Sequence, residues 1–273
     1  MIPAEVEYIR AGSLEDALDA LADPEAKVLA GGQSLVSVLK LRLVRPRLLV
    51  DIGGLELRGV ELRDGELRIG ALTVWGELVE ASELRRPALA AIPECAAGVG
   101  DLQVRNRGTI GGSLAHADPA SDLPALTIAL GASFVLRSPE GERAVPAEDF
   151  FQGPFLTALL PQELLTEIVV PPPPAGSGSA YESIEHPASG FALAGAGALV
   201  LPDGTRSVGV TGVSGHPFRL DSPDEAEAIL AGVDVFGDHF ASAEYRRRLA
   251  EVTVRRALAR AEQRREEDER WTA

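Results

Sequence analysis

Two glycine pairs stand where a phosphate-bearing ligand could be held. The first lies in "VLAGGQSLVSVLKLRL", residues 28–43, where an apolar run stops at Gly31 and Gly32. A polar pair, Gln33 and Ser34, then restarts it as a helical pattern. The second lies in "NRGTIGGSLAHADPASDLP", residues 106–124, where Thr109 and Ser113 flank Gly111 and Gly112. Glycine lacks Cβ, so its backbone adopts positive φ and approaches a ligand closely. Successive N–H groups at a strand-to-helix turn form a concave donor surface that suits a pyrophosphate. One Gly-Gly at a strand end is more often a plain turn. Two such pairs, the second leading into an irregular segment through Asp118, Pro119 and Asp122, point to a dinucleotide held between two lobes. Neither pair is GxGxxG and neither carries a P-loop lysine, so a Rossmann site and a P-loop are excluded.

Other chemistries find few residues. Cys95 is the one cysteine, so an internal disulfide, a thiolate-rich zinc site and an iron–sulfur cluster held by this chain alone are excluded. It reads as a small buried hydrophobe. His116, His186, His216 and His239 are scattered without metal-ligand spacing and read as loop or surface residues. The net charge of -15 argues against nucleic acid, which needs a basic surface. Lys27 and Lys40 are the only lysines among 26 basic residues, a bias that reflects a GC-rich genome. No apolar run is long enough to span a bilayer, and "MIPAEVEYIR" has no signal-peptide pattern. The chain is therefore read as cytoplasmic and not an integral membrane protein.

The elements that must position these residues follow from periodicity. Ser13 caps a helix with Leu14, Ala17, Leu18 and Leu21 on one face. "KVLA" is a strand ending at Gly31; Leu35, Val38, Leu39 and Leu43 share a helical face; "RLLVDI" is the next strand. Asp64-Gly65 turns a hairpin. "TVWGELVEASEL", capped by Thr73, and "RRPALAAIPECAA", with Pro87 in its first turn, are helices. "SDLPALTIALGA" is a short helix, "SFVLRSPEGERAV" a hairpin and "ELLTEIVV" a strand. "PPPPAGSGS", residues 171–179, reads as an exposed spacer that few contacts cross. "SAYESIEH", "FALAGAGALVL" and "RSVGVTGVSG" are three antiparallel strands. Helices near 223–230 and 241–266 follow, the last with a Leu249, Val252, Arg256 stripe.

"AGGQSLVSVLKLRL" and "VRNRGTIGGSLAHADPASDLP" closely resemble the two signature loops of the FAD-binding medium subunit of molybdenum hydroxylases, the carbon monoxide dehydrogenase and xanthine dehydrogenase family. The likeness continues in "FFQGPFLTALLPQELLTEIVVPPP", "YESIEHPASGFALAGAGALVL" and "SAEYRRRLAEVTVRRAL", nearly the whole chain. It implies an α+β fold of the vanillyl-alcohol-oxidase (PCMH) type. Lobe one is residues 1–57 and lobe two 58–170. The linker is 171–179, and a C-terminal domain, 180–273, has a three-stranded antiparallel sheet and helices. It further implies one noncovalent FAD. Leu29, Ala30, Gly31, Gly32, Gln33, Ser34 and Leu35 lie on one side of its pyrophosphate, and Thr109, Ile110, Gly111, Gly112 and Ser113 on the other. Asp122 is a further polar contact, the Leu165 backbone lies near the flavin ring, and Phe191 either packs near the ring or is an ordinary inward strand residue. No residue is assigned a catalytic or metal-binding role. Relatives often carry a lysine in the stretch matching "YESIEHPASGFA"; here Glu182, Ser183 and Glu185 stand there.

The resemblance implies electron transfer. A large molybdopterin-binding subunit hydroxylates the substrate and a small 2Fe-2S subunit relays electrons. The flavin of this chain passes them to an outside acceptor, within a dimer of heterotrimers. Flavins suit the task because they exchange one or two electrons, while the protein supplies binding and orientation. Two other readings stay open on the residues: a free-standing flavin reductase acting on a small anion, and a non-redox module binding an anionic metabolite.

Overall fold

The computed structural model describes residues 3–272. The first part alternates strand and helix: β1 (Glu7–Arg10), α1 (Leu14–Ala20), β2 (Ala26–Leu29), α2 (Leu35–Lys40) and β3 (Leu48–Asp51). The strands form a parallel sheet in the order β1-β3-β2. Ser13 caps α1 as expected, its hydroxyl accepting from the Asp16 N–H at 3.0 Å. Ala17, Leu18, Leu48 and Val50 bury a small core together with Leu72 and Leu164 of the next lobe. Helix α2 is shorter than its apolar spacing suggested. Arg42 has φ 58°, and the Leu43 N–H returns to the Val38 carbonyl, a left-handed helix end of the kind usually built on glycine. Leu43 therefore leaves the helical face and is 70% exposed.

The second part holds β4 (Val60–Arg63), β5 (Glu66–Gly70), α3 (Trp75–Glu80), α4 (Ala91–Gly98), α5 (Leu102–Arg105), α6 (Ile110–His116) and α7 (Leu123–Ala129). It continues with β6 (Ser133–Ser138), β7 (Gly141–Pro146), α8 (Ala147–Phe150), β8 (Phe151–Gly153), β9 (Leu156–Thr157) and β10 (Leu164–Val170). Five antiparallel strands run in the order β4-β5-β10-β6-β7. Phe134, Phe150 and Phe151 meet edge to face at 4.7–5.9 Å in the main core. Three local expectations are corrected here. Thr73 does not cap α3: it is buried, its hydroxyl bonds the Gly59 backbone, and Glu77 satisfies the Val74 N–H. Pro87 precedes α4 and offers its carbonyl to the Ser179 N–H instead. The segment after Thr109 is helical as far as His116 rather than irregular throughout: α6 ends at Ala117 with φ 51°, and 117–122, with Asp118, Pro119 and Asp122, is irregular as expected.

The last part has β11 (Gly178–Glu185), β12 (Ala192–Val200), β13 (Arg206–Thr211), β14 (Phe218–Arg219), α9 (Ala226–Gly232) and α10 (Ala243–Thr272). The sheet has four strands in the order β11-β12-β13-β14, not three; the two-residue β14 pairs beside β13. Alternation sorts the residues of β12 and β13 into two cores. Ala194, Ala196, Ala198, Val208 and Val210 face α10. Gly197 and Gly209 face α7, so closely that a Cβ would lie 2.7 Å from the Leu126 Cα and 2.0 Å from the Ala125 carbonyl oxygen. The buried stripe of α10 is Leu249, Ala250, Thr253, Val254, Ala257 and Ala261, while Arg256 is exposed. The 171–179 segment is also not the open spacer expected. Ser177, Gly178 and Ser179 are buried, and Gly178 begins β11 against the Ala261 carbonyl.

Candidate functional site

The first glycine loop joins β2 to α2. Gly32 has φ 76°, which glycine adopts without strain. Gly31 has a different reason to be glycine. A Cβ there would lie 2.2 Å from the Arg107 carbonyl oxygen and 2.9 Å from the Gly108 Cα. The two glycine segments thus touch backbone to backbone. A Cβ on Gly112 would lie 3.6 Å from the Ala30 Cβ, which sets the second pair beside the first loop as well. The two breaks, far apart in sequence, meet in the fold.

The halves differ in what they can donate. Among the described residues, the N–H groups of Gly31, Gly32, Gln33 and Ser34 have no acceptor within the chain. Those of Ile110, Gly111, Gly112 and Ser113 are taken, by the Thr73 carbonyl (2.9 Å), the Ala71 carbonyl (2.8 Å), the Thr109 hydroxyl (3.2 Å) and the Thr109 carbonyl (3.0 Å). Spare backbone donors therefore come mainly from the first loop, with the Thr109 N–H as the second loop's share among the described residues. Gly111 is a packing glycine, since a Cβ would meet the Ala71 Cβ at 2.5 Å. The second loop offers hydroxyls: Thr109, which caps α6, and Ser113, which pairs with Ser121 at 3.2 Å.

A cleft of about 330 Å³ opens along Leu29 to Gln33. Lys40, Asp51 and Arg107 line it too. Sequence reasoning missed all three. Lys40 ends α2 and Asp51 ends β3; ligands in open α/β sheets gather at the carboxyl ends of parallel strands, a signal that was available for Asp51. Its carboxylate accepts from the Tyr8 hydroxyl (2.5 Å) and the Gly53 N–H (2.8 Å). The bond to Asp51 also pushes the Tyr8 phenol pKa upward.

The remaining expected residues lie outside this cleft. Asp122 is directed at the C-terminal sheet, where its carboxylate accepts from the Tyr181 hydroxyl at 2.5 Å. Burial pushes its pKa up to about 6, against the opposing Tyr181 hydrogen bond and helped by the Glu185 charge. Burial also raises the Tyr181 phenol and the Cys95 thiol, each further raised by the Asp122 charge. Leu165 is buried in β10 opposite Leu136, next to a bulge that frees the Thr166 carbonyl for the Ala71 N–H. Phe191 is 50% exposed at the mouth of the β11–β12 turn, where its carbonyl accepts from the His186 N–H; it is not an inward strand residue. No cluster of three or more potential metal ligands occurs among the described residues.

Known proteins share this fold. The family described as FAD binding domain in molybdopterin dehydrogenase matches residues 4–173. The chain is 37% identical to the carbon monoxide dehydrogenase medium chain of Afipia carboxidovorans, over 97% of this chain and 99% of that one. It is 36% identical to the 6-hydroxypseudooxynicotine dehydrogenase complex subunit alpha of Paenarthrobacter nicotinovorans, over 96% of each. A solved carbon monoxide dehydrogenase from Hydrogenophaga pseudoflava matches with a TM-score of 0.92 at 36% identity, covering 97% of this chain and 99% of that chain. The paired loops, the lobes that join them and a likeness running through the C-terminal sheet lead to one assignment: the chain belongs to the family of FAD-binding subunits of molybdopterin dehydrogenases.

Proposed function

We propose that the chain holds the FAD pyrophosphate over the first glycine loop and works as the electron outlet of a molybdenum hydroxylase. One observation carries the placement: four adjacent backbone donors without acceptors, at the point where the two loops touch. Donors already fixed in position need no reorganisation when the anion arrives. The Thr109 hydroxyl lies at the same junction, near Gly112 and Ala30, the Ser113 hydroxyl pairs with Ser121, and in this reading Ala30 to Ser34 lie under the pyrophosphate. Asp122, Leu165 and Phe191 belong to the flavin-ring end in this reading. The part-buried Asp122–Tyr181 hydrogen bond ties that end to the C-terminal sheet. Bound FAD supplies the change between two-electron and one-electron transfer. The residues of the chain orient it, shield it and set its charge environment, to which Glu182 and Glu185 contribute negative rather than positive charge.

The fold is assigned to the vanillyl-alcohol-oxidase type, supported by a small parallel sheet joined through the glycine loops to a five-stranded antiparallel one. Residues 1–57 and 58–170 are its lobes. The partners are a large molybdopterin-binding and a small 2Fe-2S subunit, in a dimer of heterotrimers in the cytoplasm; no helix among the described residues is long and apolar enough to cross a membrane. The electron-donating partner meets the surface near Leu102 and Phe191, two exposed large hydrophobics in the segments 98–108 and 185–191. The test is anaerobic. The isolated chain should bind FAD and show no bleaching of the flavin band with purines, aldehydes, N-heterocycles or carbon monoxide. Reconstitution with the two partners should restore bleaching by the substrate of the complex. Bleaching without partners would mean that the chain has its own substrate chemistry and would overturn the proposal.

A further inference from the structure

A second concavity, of about 460 Å³, lies wholly in the last part of the chain, between the middle of α10 and the 223–227 segment. Its size is that of a small-molecule pocket. Glu251, Val254, Arg255 and Leu258 line it from one face of α10, at the spacing that makes helix residues neighbours. Val254 is 1% exposed, and Leu258 and Ala226 pack on the same core, so this stretch of the groove is apolar. Charges line the rest. Asp224 is matched by Arg206 and Glu262 by Arg265 (2.7 Å). The side chains of Glu227, Glu251 and Arg255 make no ion pair or hydrogen bond among the described residues. Glu251 and Arg255 have the favoured order for an i,i+4 pair, and Glu244 and Arg248 form one on the same helix at 2.7 Å. Glu251 and Arg255 instead stay apart in the lining of the groove.

The unmatched set is two carboxylates and one guanidinium beside an apolar stretch. Its inverse is a molecule with two cationic groups, one carboxylate and an aliphatic stem. We infer that this groove is a binding site for a basic α-amino acid of the lysine type. Arg255 donates to the α-carboxylate, and Glu251, one turn away on the same helix, accepts from the α-ammonium. Glu227, from α9, accepts from the terminal ammonium. The stem lies over Val254 and Leu258, as aliphatic stems of charged molecules cover apolar surface. The lining comes from the last part of the chain alone, so the site does not depend on the proposed FAD placement. Arg255 and Glu227 are exposed, and solvent-facing ion pairs are weak, so the dissociation constant is on the order of a millimolar.

The experiment titrates the full chain with three probes by ligand-observed NMR: L-lysine, L-norleucine, which lacks the terminal ammonium, and cadaverine, which lacks the carboxylate. L-lysine should bind about fivefold more tightly than either of the others, the worth of one solvent-facing ion pair. Glu227→Gln should abolish the preference over norleucine and leave norleucine binding unchanged. Arg255→Ala should abolish the preference over cadaverine and leave cadaverine binding unchanged. Arg256→Ala, exposed and outside the lining, should alter neither preference. Circular dichroism confirms the fold of each variant. No saturable binding of L-lysine, or an affinity for it unaltered in both Glu227→Gln and Arg255→Ala, overturns the inference. Cadaverine bound as tightly as L-lysine by the native chain overturns it too, since the groove would then select cations without reading the carboxylate. Each of these outcomes is independent of flavin content, so FAD uptake by the same protein tests the functional reading separately.

Discussion

Gly31 and Gly32 are adjacent and look alike in the sequence, yet they are glycine for unlike reasons. Gly32 needs its φ of 76°, and a Cβ there would lie 3.3 Å from the Leu29 and Val36 side chains, a tight contact relieved by a small shift of those side-chain ends. Gly32→Ala should cost about 1 kcal/mol of backbone strain and keep flavin. Gly31 faces a carbonyl oxygen that cannot give way. Gly31→Ala should cost about 1–3 kcal/mol and part the two loops, with flavin affinity falling at least about tenfold. Urea unfolding and the flavin-to-protein ratio measure both, and full flavin retention in Gly31→Ala would contradict the joined-loop site. Asp122 gives a pH-dependent test. Its carboxyl is shifted up to about 6 from 3.8, chiefly by burial. The neutral form therefore fits the fold, and the stability it provides is complete below about pH 4 and lost as pH rises through about 6. Asp122→Asn keeps an acceptor for Tyr181 and has no charge to bury. In the flavin-free chain it should match the parent at pH 4 and exceed it by up to about 2 kcal/mol at pH 7.5, a difference set by the pKa gap. Equal stability of the two at both pH values would show that Asp122 is not strained when ionised.

At the scale of elements, the proline run was legible as a break and its continuation was not. Composition marks 171–179 as a spacer, but Ser177 to Ser179 gain burial because Gly178 lets α10 come within contact of β11. Helix α10 also reaches back across that segment. Arg260 pairs with Glu94 of α4 (2.9 Å) and with Glu182 of β11 (3.0 Å), and Arg264 pairs with Glu94 as well. Brief proteolysis should therefore cut within the exposed 171–175 stretch and spare 176–179. The two fragments should co-elute on size exclusion, held by the glycine contacts of α7 and by these ion pairs. Release of a free C-terminal fragment would show that the parts are separable domains. Sequence periodicity found α7 and β12 without showing that they meet, because glycine carries no periodic signature of the neighbour it admits.

Over the whole molecule, a chain with net charge -15 brings two cations, Lys40 and Arg107, into the lining of one cleft. The two sheets of the cofactor lobes are joined by the loops, and the third is joined to them through α7. Small residues do this joining. Ala and Gly in β12 and β13 let a helix lie on each face of the same sheet, which buries it on both sides. Asp122 meets the C-terminal sheet through Tyr181, so in the proposed reading the third part of the chain helps shape the flavin-ring end of the site.

The sequence by itself determined the elements, the family and the two loops, since each rests on local pattern: periodic apolar positions, caps, turn residues and a pair of glycine motifs. It also determined that one cysteine cannot hold a cluster. Only the tertiary structure decided that the loops touch at Gly31, that most spare donors belong to the first loop, and that Gly111 serves packing. Lys40, Asp51 and Arg107 enter one cleft only when three separate segments converge, and no spacing along the chain records that. Local structure is set by neighbours a few residues away, whereas a binding site depends on distances between segments far apart in sequence, which are fixed when the cores close.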